Sequence, residues 1–370
     1  MVEEKTMRIL YLINAGIMGG RERHVLTLVS SLPKEVEYCV CAVSGGAATD
    51  AMLEAGLNVR VLGGRNGHDL KIVPRFIELL REFKPDIVHA HSGAFLPYFV
   101  LNWFRRIPLV QSIHGPSASG EEYEARRVNL KWKLKAFVSR LFERTPDYYL
   151  PVSNATWDDF KSICPNAKGE VFFNALKLDG LPRAAKKDGA PKKIVGMVGR
   201  MASVKDWPSF SRVAAIVSSQ RSDVEFWGVG AGKAWARENV GEDAKYVRWF
   251  GLRQDARDLI AQMDVFLTTS KHEQLPTTLL EAFAIGVPVV GFLPDGGTKE
   301  VVGLSDKTSA LLLKERDCQR LAVELIRVMD DKNLRESMSE EGYKIVNKHF
   351  DMKKLCSDKL ISIYKRTLRV

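Results

Sequence analysis

The sequence predicts an α/β protein in which two doubly wound parallel-sheet domains face each other across a cleft. Short apolar, β-branched runs alternate with amphipathic helical stretches along nearly all of the 370 residues, which is the pattern of parallel sheets covered by helices on both faces. Residues 176–193, rich in Lys, Pro, Gly and Ala, interrupt this alternation and are predicted to be a linker. Polar residues and glycines follow most predicted strands, at the edge where open α/β sheets bind ligands.

The first predicted domain covers residues 1–175 and is Rossmann-like. It opens with a strand at Arg8–Asn14, a glycine-bearing loop at Ala15–Gly20 and an amphipathic helix from about Arg21 to Leu32. The G-x-G-x-x-G dinucleotide fingerprint is absent from this loop. Similar patterns predict further strands at 36–43, 59–62, 85–91, 109–114, 148–154 and 170–174, with helices at 72–83 and from about 155.

The second predicted domain covers residues 194–350 and repeats the strand–helix alternation. Its strands are predicted near 194–199, 224–228, 246–250, 264–268 and 287–291, and its last two helices at 318–329 and 334–347. A break at His349-Phe-Asp351 separates a C-terminal helix, predicted at 352–367 within residues 351–370.

Composition narrows the function classes. Hydrophobic content of 45% and charged content of 27% are those of a soluble globular protein, and no apolar run could span a bilayer or form a signal-peptide core. The five cysteines show no paired spacing, and Cys39 and Cys41 would share one face of a strand, so a reducing cytoplasm is the predicted location. The net charge of +10 favours anionic partners: nucleic acid, a membrane face or phosphorylated substrates.

Two acidic residues bracket a strand-to-helix turn in the second domain. Glu273 follows the predicted strand at 264–268, and Glu281 lies in the helix that ends at Gly286. Both are candidates for binding a polar ligand at the sheet edge. The structural alternatives are a solvated loop position for Glu273 and a capping box, Thr278-x-x-Glu281, for the second acid.

Two cations follow the first strand of the second domain, in Gly199-Arg200-x-x-x-x-Lys205. Gly199 allows the backbone to approach a ligand, arginine can bind a phosphate through two hydrogen bonds, and lysine supplies a compact charge. The spacing therefore favours a diphosphate site, with a solvated basic loop as the alternative.

Three histidines follow strands of the first domain. His89 and His91 lie on one side of a strand, so a metal pair is conceivable, but no other metal-binding motif accompanies them and no metal site is predicted. The favoured interpretation has one of the two packed and hydrogen-bonded while the other lines the cleft. His114, at a strand end before Gly115, is a candidate polar contact to a substrate.

The first domain also contains a long basic amphipathic segment at 121–145 and an aromatic-basic patch at 103–106. Both fit a peripheral membrane contact. The favoured alternative for the long segment is a helix that packs on the core with a solvated basic back.

Taken together, the motifs resemble the class-four family of retaining, nucleotide-sugar-dependent glycosyltransferases with the GT-B fold. The resemblance runs along nearly the whole chain and is carried by Gly19-Gly-Arg-Glu-Arg-His24, Asp86-Ile-Val-His-Ala-His91, Ser112-Ile-His-Gly115, Pro151-Val-Ser-Asn154, Val198-Gly-Arg200, Lys205, Asp264-Val-Phe-Leu267, Glu273 and Glu281. Three positions depart from the family pattern: Asp206 and Ala175 replace glycines, and Gln274 replaces the glycine after the first acid.

The resemblance implies metal-independent transfer of a hexosyl group from a UDP- or GDP-linked sugar, without a cofactor, to a glycan or glycolipid acceptor. It implies roles at the diphosphate for Arg200 and Lys205, approached by the Gly19-Gly20 loop, at the ribose for Glu281, at the donor sugar for Glu273 and at the reaction centre for His114. It also implies that the last helix crosses back to the first domain. Residence in the cytoplasm, with a peripheral contact to the inner membrane face, is the corresponding expectation.

Three other functions stay open from the residues. A sugar-nucleotide epimerase or hydrolase would consume donor without an acceptor, and a non-catalytic sugar-nucleotide binder is compatible with Gln274. A nucleic-acid binder is disfavoured, because the lysines and arginines are scattered and no stacking-aromatic motif accompanies them.

Overall fold

The computed structural model describes residues 6–16, 18–91, 95–104, 107–115, 146–184, 192–232, 235, 238–305, 307 and 309–368. The chain divides into two compact units. The N-terminal unit comprises Met1–Lys177 and Met352–Val370, and the C-terminal unit comprises Leu178–Asp351. The end of the chain therefore belongs to the same unit as its beginning. The segment 121–145 and residues 105–106 lie outside the described residues.

The described part of the N-terminal unit contains a six-stranded parallel sheet. In chain order its strands are β1 (Met7–Ile13), β2 (Val36–Ala42), β3 (Val59–Val61), β4 (Ile87–Ala90), β5 (Leu109–Ile113) and β6 (Tyr148–Pro151). Their order across the sheet is β3-β2-β1-β4-β5-β6, so the topology reverses between β1 and β4. The described helices of this part are α1 (Gly20–Val29), α2 (Ala47–Glu54), α3 (Ile72–Phe83), α4 (Phe95–Phe104) and α5 (Asn154–Ile163).

The central strand of this sheet is apolar because both of its faces are covered. The last five residues of β1 are buried, and Leu10 pairs with Cys39 on one side and Val88 on the other. The helix α3 has the bounds that its periodicity predicts, and it buries one apolar face that includes Phe76 and Leu80.

The predicted strand at 170–174 is wrong. Glu170 and Phe172 each donate a backbone hydrogen bond to β6, but the segment forms only an isolated bridge, between Tyr149 and Gly169. The carbonyl of Val171 accepts a hydrogen bond from Lys359 Nζ at 2.6 Å. That carbonyl is thus used by the C-terminal helical segment rather than by a sheet ladder.

The described part of the C-terminal unit contains a second six-stranded parallel sheet. Its strands are β7 (Lys193–Val198), β8 (Val224–Val229), β9 (Val247–Gly251), β10 (Val265–Thr268), β12 (Val289–Phe292) and β14 (Ala310–Leu313), and the two-residue strands β11 (His272–Glu273) and β13 (Asp295–Gly296) form a separate pair. The order across the large sheet is β14-β12-β10-β7-β8-β9. The helices are α6 (Trp207–Gln220), α7 (Ala256–Ala261), α8 (Thr277–Ile285), α9 (Thr298–Val302), α10 (Cys318–Asp330) and α11 (Lys332–His349).

Both sheets share one strand order, which confirms the predicted α/β class with two doubly wound parallel sheets. In each, the first strand lies between the second and the fourth long strand, β1 between β2 and β4 and β7 between β8 and β10. The carboxyl ends of strands beside such a reversal are where ligands bind in open α/β sheets. The patterns above do not predict the short helices α2 and α9, which carry few apolar repeats, or the strand β14, although its four residues are all apolar.

The C-terminal helical segment packs on the N-terminal unit. It consists of Met352–Lys354, a π-helical turn at Leu355–Leu360 and a last helix at Ile361–Thr367, and Leu360 and Tyr364 are fully buried. The helix α11 ends at His349, where the sequence predicts a break.

The described residues contain no helix that is long and apolar enough to cross a membrane. None of the five cysteines, all of which are among the described residues, forms a disulfide, and Cys39 and Cys41 both lie on β2.

Candidate functional site

In the C-terminal unit, loops that follow four neighbouring strands come into contact. A Cβ atom at Gly230, after β8, would lie 1.8 Å from the carbonyl oxygen of Gly199, after β7. A Cβ at Gly296, after β12, would lie 2.2 Å from the carbonyl oxygen of Glu273, after β10, and Gly296 has φ +100°. These glycines are required because the backbones approach closely there. The sheet thus brings Gly199 and Glu273 to one edge.

Lys205 and Glu273 form an ion pair at this edge. The aliphatic part of Lys205 crosses Gly199, with its Cε 3.2 Å from the position that a Cβ would take, and its Nζ donates to Glu273 Oε1. Both side chains are mostly covered, with 17% and 15% of their surface exposed. The two residues that the sequence assigns to diphosphate and donor sugar are therefore in direct contact.

Arg200 has an anchored backbone and an exposed side chain. Its carbonyl oxygen accepts a hydrogen bond from Trp207 Nε1 at 3.2 Å, and the Trp207 ring is fully buried. Within the described residues, no acidic side chain pairs with the Arg200 guanidinium. A cation without an internal partner at the carboxyl end of β7 is suited to an anionic ligand.

Glu281 is not a capping residue, so the capping-box alternative is wrong. The helix α8 begins at Thr277, its N-cap is Pro276, and no side chain caps it. The carboxylate of Glu281 instead accepts a hydrogen bond from Arg257 Nε at 2.9 Å, and the side chain of Glu281 is only 10% exposed. Arg257 lies on the short helix α7, and no sequence motif marks it as a partner of Glu281.

The turn that carries Lys205 is held by a second set of contacts that the sequence patterns also missed. Arg316, on the segment before α10, donates to Asp206 Oδ2 at 2.6 Å and to the carbonyl oxygen of Ser270 at 3.1 Å. Gln274 Nε2 lies 2.8 Å from His272 Nε2, so the side chain that replaces the family glycine is hydrogen-bonded within its own loop.

In the N-terminal unit, four histidines form a largely buried histidine cluster, defined here as His24, His89, His91 and His114. His89 lies on β4 and the other three follow β1, β4 and β5; His114 is partly exposed, and the others are buried. His89 lies between Tyr364, whose hydroxyl is 2.6 Å from Nδ1, and Ser112, whose hydroxyl is 2.9 Å from Nε2. This confirms the interpretation of one packed and hydrogen-bonded histidine. His91 is also buried, at 1% exposure, so the expectation that the second histidine lines an open cleft is wrong.

His91 and His114 contact each other directly. His91 Nδ1 lies 3.2 Å from His114 Nε2, so one nitrogen donates and the other accepts. The ring of His24 lies 5.5 Å from that of His91 and 5.2 Å from that of His114, and neither nitrogen of His24 has a hydrogen-bond partner among the described residues.

The histidine cluster is held in its neutral form. Burial lowers the pKa of His24 to about 4, and burial together with the neighbouring His24 lowers the pKa of His89 to about 3. Burial also lowers the pKa of His91 and of His114 well below the ordinary value, with further contributions from the neighbouring histidines and Arg21. At neutral pH these side chains can donate or accept one hydrogen bond at each nitrogen, and they add no net charge.

Gly19 and Gly20 begin the helix α1, which carries His24. The backbone N–H of Gly19 donates to Glu22 Oε2 at 3.2 Å, while Gly20 is exposed and has no atom within 4 Å of the position of a Cβ. Among the described residues, no three side chains of His, Cys, Asp or Glu are grouped so as to hold a metal ion. Metal independence stays a prediction.

Comparison with known proteins places each half of the chain in one class of enzymes. The family model described as "Glycosyltransferase Family 4" matches residues 18–179, and the model described as "Glycosyl transferases group 1" matches residues 192–331.

Individual relatives agree. The chain is 27% identical over 259 residues to a GDP-mannose-dependent alpha-mannosyltransferase of Mycobacterium tuberculosis. The matched region covers 64% of this chain and 63%, less than two thirds, of the relative. It is 23% identical over 335 residues to the lipopolysaccharide core biosynthesis glycosyltransferase LpsE of Rhizobium meliloti, covering 88% and 90% of the two chains. Its fold matches the crystal structure of Anabaena HepE in complex with UDP and glucose with a TM-score of 0.76, at 19% identity and 96% and 99% coverage. The two family models together cover residues 18–179 and 192–331, and the chain is therefore a family 4-type glycosyltransferase with the GT-B fold.

Proposed function

We propose that this glycosyltransferase moves a hexosyl group from a nucleoside diphosphate sugar to an acceptor hydroxyl with retention of the anomeric configuration. The observation that carries the proposal is the grouping of Gly199, Lys205 and Glu273 at one sheet edge, beside the exposed Arg200. An anion-binding pair and a hydroxyl-binding carboxylate on adjacent loops match the two ends of a sugar diphosphate.

The charge that develops during transfer lies on the departing diphosphate. Fixed cations aimed at that charge stabilise the transition state, and each such donor is typically worth about 3 kcal/mol. Arg200 and Lys205 supply these cations in our proposal. The leaving phosphate oxygen takes the proton of the acceptor hydroxyl, so the reaction balances without a protein base or a metal ion.

The Lys205–Glu273 ion pair has a further consequence for donor binding. In the unliganded protein the two charges neutralise each other, so neither is left uncompensated in a largely covered position. A sugar diphosphate offers both partners at once, a phosphate to the lysine and sugar hydroxyls to the glutamate. We propose that the donor replaces the internal pair with these two contacts.

Glu281 is assigned to the ribose hydroxyls of the donor. Its carboxylate has two oxygens, and Arg257 bonds Oε1, which leaves Oε2 available as an acceptor. Both UDP and GDP are candidate carriers, because one relative is named as GDP-mannose-dependent and the HepE structure contains UDP.

His114 is assigned to the reacting sugar, and the Gly19-Gly20 loop to the donor phosphates. A neutral imidazole can hydrogen-bond a sugar hydroxyl without competing with the cations for the phosphate charge. The acceptor that we propose is a glycan or glycolipid, since one relative is named for lipopolysaccharide core biosynthesis. A peripheral membrane contact through the basic N-terminal domain remains part of this proposal.

The direct test is calorimetric titration with UDP, GDP and ADP, followed by the matching sugar nucleotides. We expect one nucleoside diphosphate to bind clearly more tightly than its monophosphate. The anomeric coupling constant of the product, read by NMR, should then match that of the donor. Inverted configuration, or donor consumption that is independent of any acceptor, would contradict the proposal.

A further inference from the structure

We infer that Asp206 and Arg316 form a latch that positions Lys205 for the donor diphosphate, and that Arg316 is a positioning residue of the donor site. The inference rests on the proposed role of Lys205. Its basis is the geometry of the turn that follows Lys205, where Asp206 stands in place of the glycine of the family pattern.

The backbone of Asp206 explains why this position favours glycine. It has φ 52° and ψ 52°, the left-handed conformation that side chains adopt at a cost and that Asp and Asn tolerate best. This conformation ends the 3-10 turn Ser203–Lys205 and starts the helix α6. The direction of the Lys205 side chain therefore depends on a strained junction immediately after it.

The carboxylate of Asp206 is held on two sides. It accepts hydrogen bonds from Ser209, at 2.8 Å from Oγ and 3.4 Å from the backbone nitrogen, which caps α6. On the other side it accepts from Arg316 Nη2 at 2.6 Å. The side chain of Asp206 is only 11% exposed, so loss of the arginine would leave a covered carboxylate without its cation.

Arg316 also joins this turn to the loop that carries Glu273. Its guanidinium donates to the carbonyl oxygens of Thr269 and Ser270, and it lies over the Phe292 ring at 4.6 Å from the centroid. The hydroxyl of Thr269 lies 3.1 Å and 2.9 Å from the carbonyl oxygens of Lys205 and Asp206.

One guanidinium thus ties the loop after β7 to the loop after β10, and the Lys205–Glu273 ion pair spans the same two loops. The planar group donates to three acceptors at once from a rigid fork of N–H groups, whereas a lysine would supply a compact charge on a flexible stem. The guanidinium is already engaged by three acceptors within the protein, so we place Arg316 behind Lys205 and not on the ligand.

The test is a pair of double-mutant cycles read by calorimetric binding of UDP or GDP, whichever the wild-type protein binds, and of the corresponding monophosphate. We expect Arg316→Ala to weaken diphosphate binding about tenfold while monophosphate binding changes less than about twofold, since the monophosphate lacks the group that Lys205 would hold. In a Lys205→Ala background the same arginine change should have an effect below about twofold.

The second double-mutant cycle measures the contribution of the contact between Asp206 and Arg316. Asp206→Gly removes the strained side chain and the carboxylate together, so Arg316→Ala should cost less than about threefold in that background. Arg320→Ala is the matched control, because that arginine pairs at the surface with Glu315 and should leave binding unchanged. Asp206→Asn and Arg316→Lys keep side-chain size and serve if the alanine variant does not fold.

The outcomes separate the two hypotheses. If the wild-type protein binds no nucleoside diphosphate, the proposed function and the latch both fail. If it binds one, and Arg316→Ala weakens mono- and diphosphate equally or keeps its effect without Lys205, the latch alone is overturned.

Discussion

The sheets of the two units have the same strand order, but the side chains at their strand ends are neutral in one unit and charged in the other. Each sheet reverses its order beside its first strand, at β1/β4 and at β7/β10, and each places polar residues after those strands. In the N-terminal unit these residues are the buried, neutral histidine cluster. In the C-terminal unit they are charged groups held in ion pairs, Lys205 with Glu273 and Arg257 with Glu281.

The difference follows from how each unit covers its strand ends. In the N-terminal unit Tyr364, from the end of the chain, packs against His89 and hydrogen-bonds it, and burial without a counter-ion favours the uncharged form. In the C-terminal unit the acidic side chains form ion pairs with basic ones, and the side chain of Arg200 is exposed at the same sheet edge. One strand order can therefore carry either a neutral, hydrogen-bonded cluster or a set of ion pairs beside an exposed cation at its strand ends.

The largest expected effect tests the charged site of the C-terminal unit. Arg200→Ala should lower kcat/KM about 100-fold, since one fixed donor at a developing charge is worth about 3 kcal/mol. The melting temperature should stay within about 1 °C, because the exposed guanidinium pairs with no acid in the described chain. Steady-state kinetics with the identified donor, together with a thermal melt, measure both quantities. Near-normal turnover would remove Arg200 from the phosphate site.

The neutral histidine cluster is tested by measuring the free energy of unfolding as a function of pH. His24 has a pKa of about 4 in the folded protein against 6.5 when unfolded, so between these values only the unfolded chain binds the proton. The stability present above pH 6.5 is therefore lost as the pH falls, by about 1.4 kcal/mol per pH unit for this histidine, or about 2 kcal/mol by pH 5. Denaturant unfolding at several pH values measures this slope.

The matched pair for the pH experiment is His24→Phe and His68→Gln. Replacing the His24 ring should lower the slope of unfolding free energy against pH by about 1.4 kcal/mol per pH unit, while the other three histidines of the cluster keep their contributions. His68→Gln, at an exposed position, is the control. An unchanged slope in the His24 variant would mean that His24 contributes nothing to it, and would contradict a lowered pKa for this residue.

The C-terminal helix should matter for the histidine cluster and not for the charged site. Tyr364→Phe removes hydrogen bonds to His89 and Tyr11 and leaves buried polar atoms unpaired, so we expect a loss of about 1–3 kcal/mol. Nucleotide affinity of the C-terminal unit should be unchanged. Chemical denaturation measures the free energy of unfolding, and calorimetry on the same sample measures nucleotide affinity. A comparable loss of nucleotide affinity would contradict the claim that Tyr364 supports only the histidine cluster.

The smallest effect concerns the ribose contact. Glu281→Gln keeps the size of the side chain and one acceptor oxygen but removes the charge that pairs with Arg257. We expect about a tenfold rise in KM for the donor with kcat changed less than about twofold, because a ribose contact is made equally in the ground and transition states. Equal affinity for ribo- and 2′-deoxyribonucleotides in the wild-type protein would speak against the assignment.

Much of this architecture could be predicted from residue patterns. Strands such as β1 and β10 are continuous apolar runs between turn residues, and α3 and α10 bury one regular face, so local sequence suffices to define them. The five-residue α9 is too short to show a period, and β14 is not predicted although it is an apolar run of the same length as β10. The false strand at 170–174 has a strand-like composition but gives a carbonyl to Lys359.

For the site, the chain's own sequence determined which residues follow strands, and with them the candidates Gly199, Arg200, Lys205, Glu273 and His114. The tertiary structure decided their partners: Glu273 for Lys205, Arg257 for Glu281, and Arg316 for Asp206. The physical reason is the distance along the chain over which each kind of interaction acts. Periodicity and turn chemistry act over a few neighbouring residues, whereas these ion pairs join residues 24 to 110 positions apart, which only the folded sheet brings within hydrogen-bonding distance.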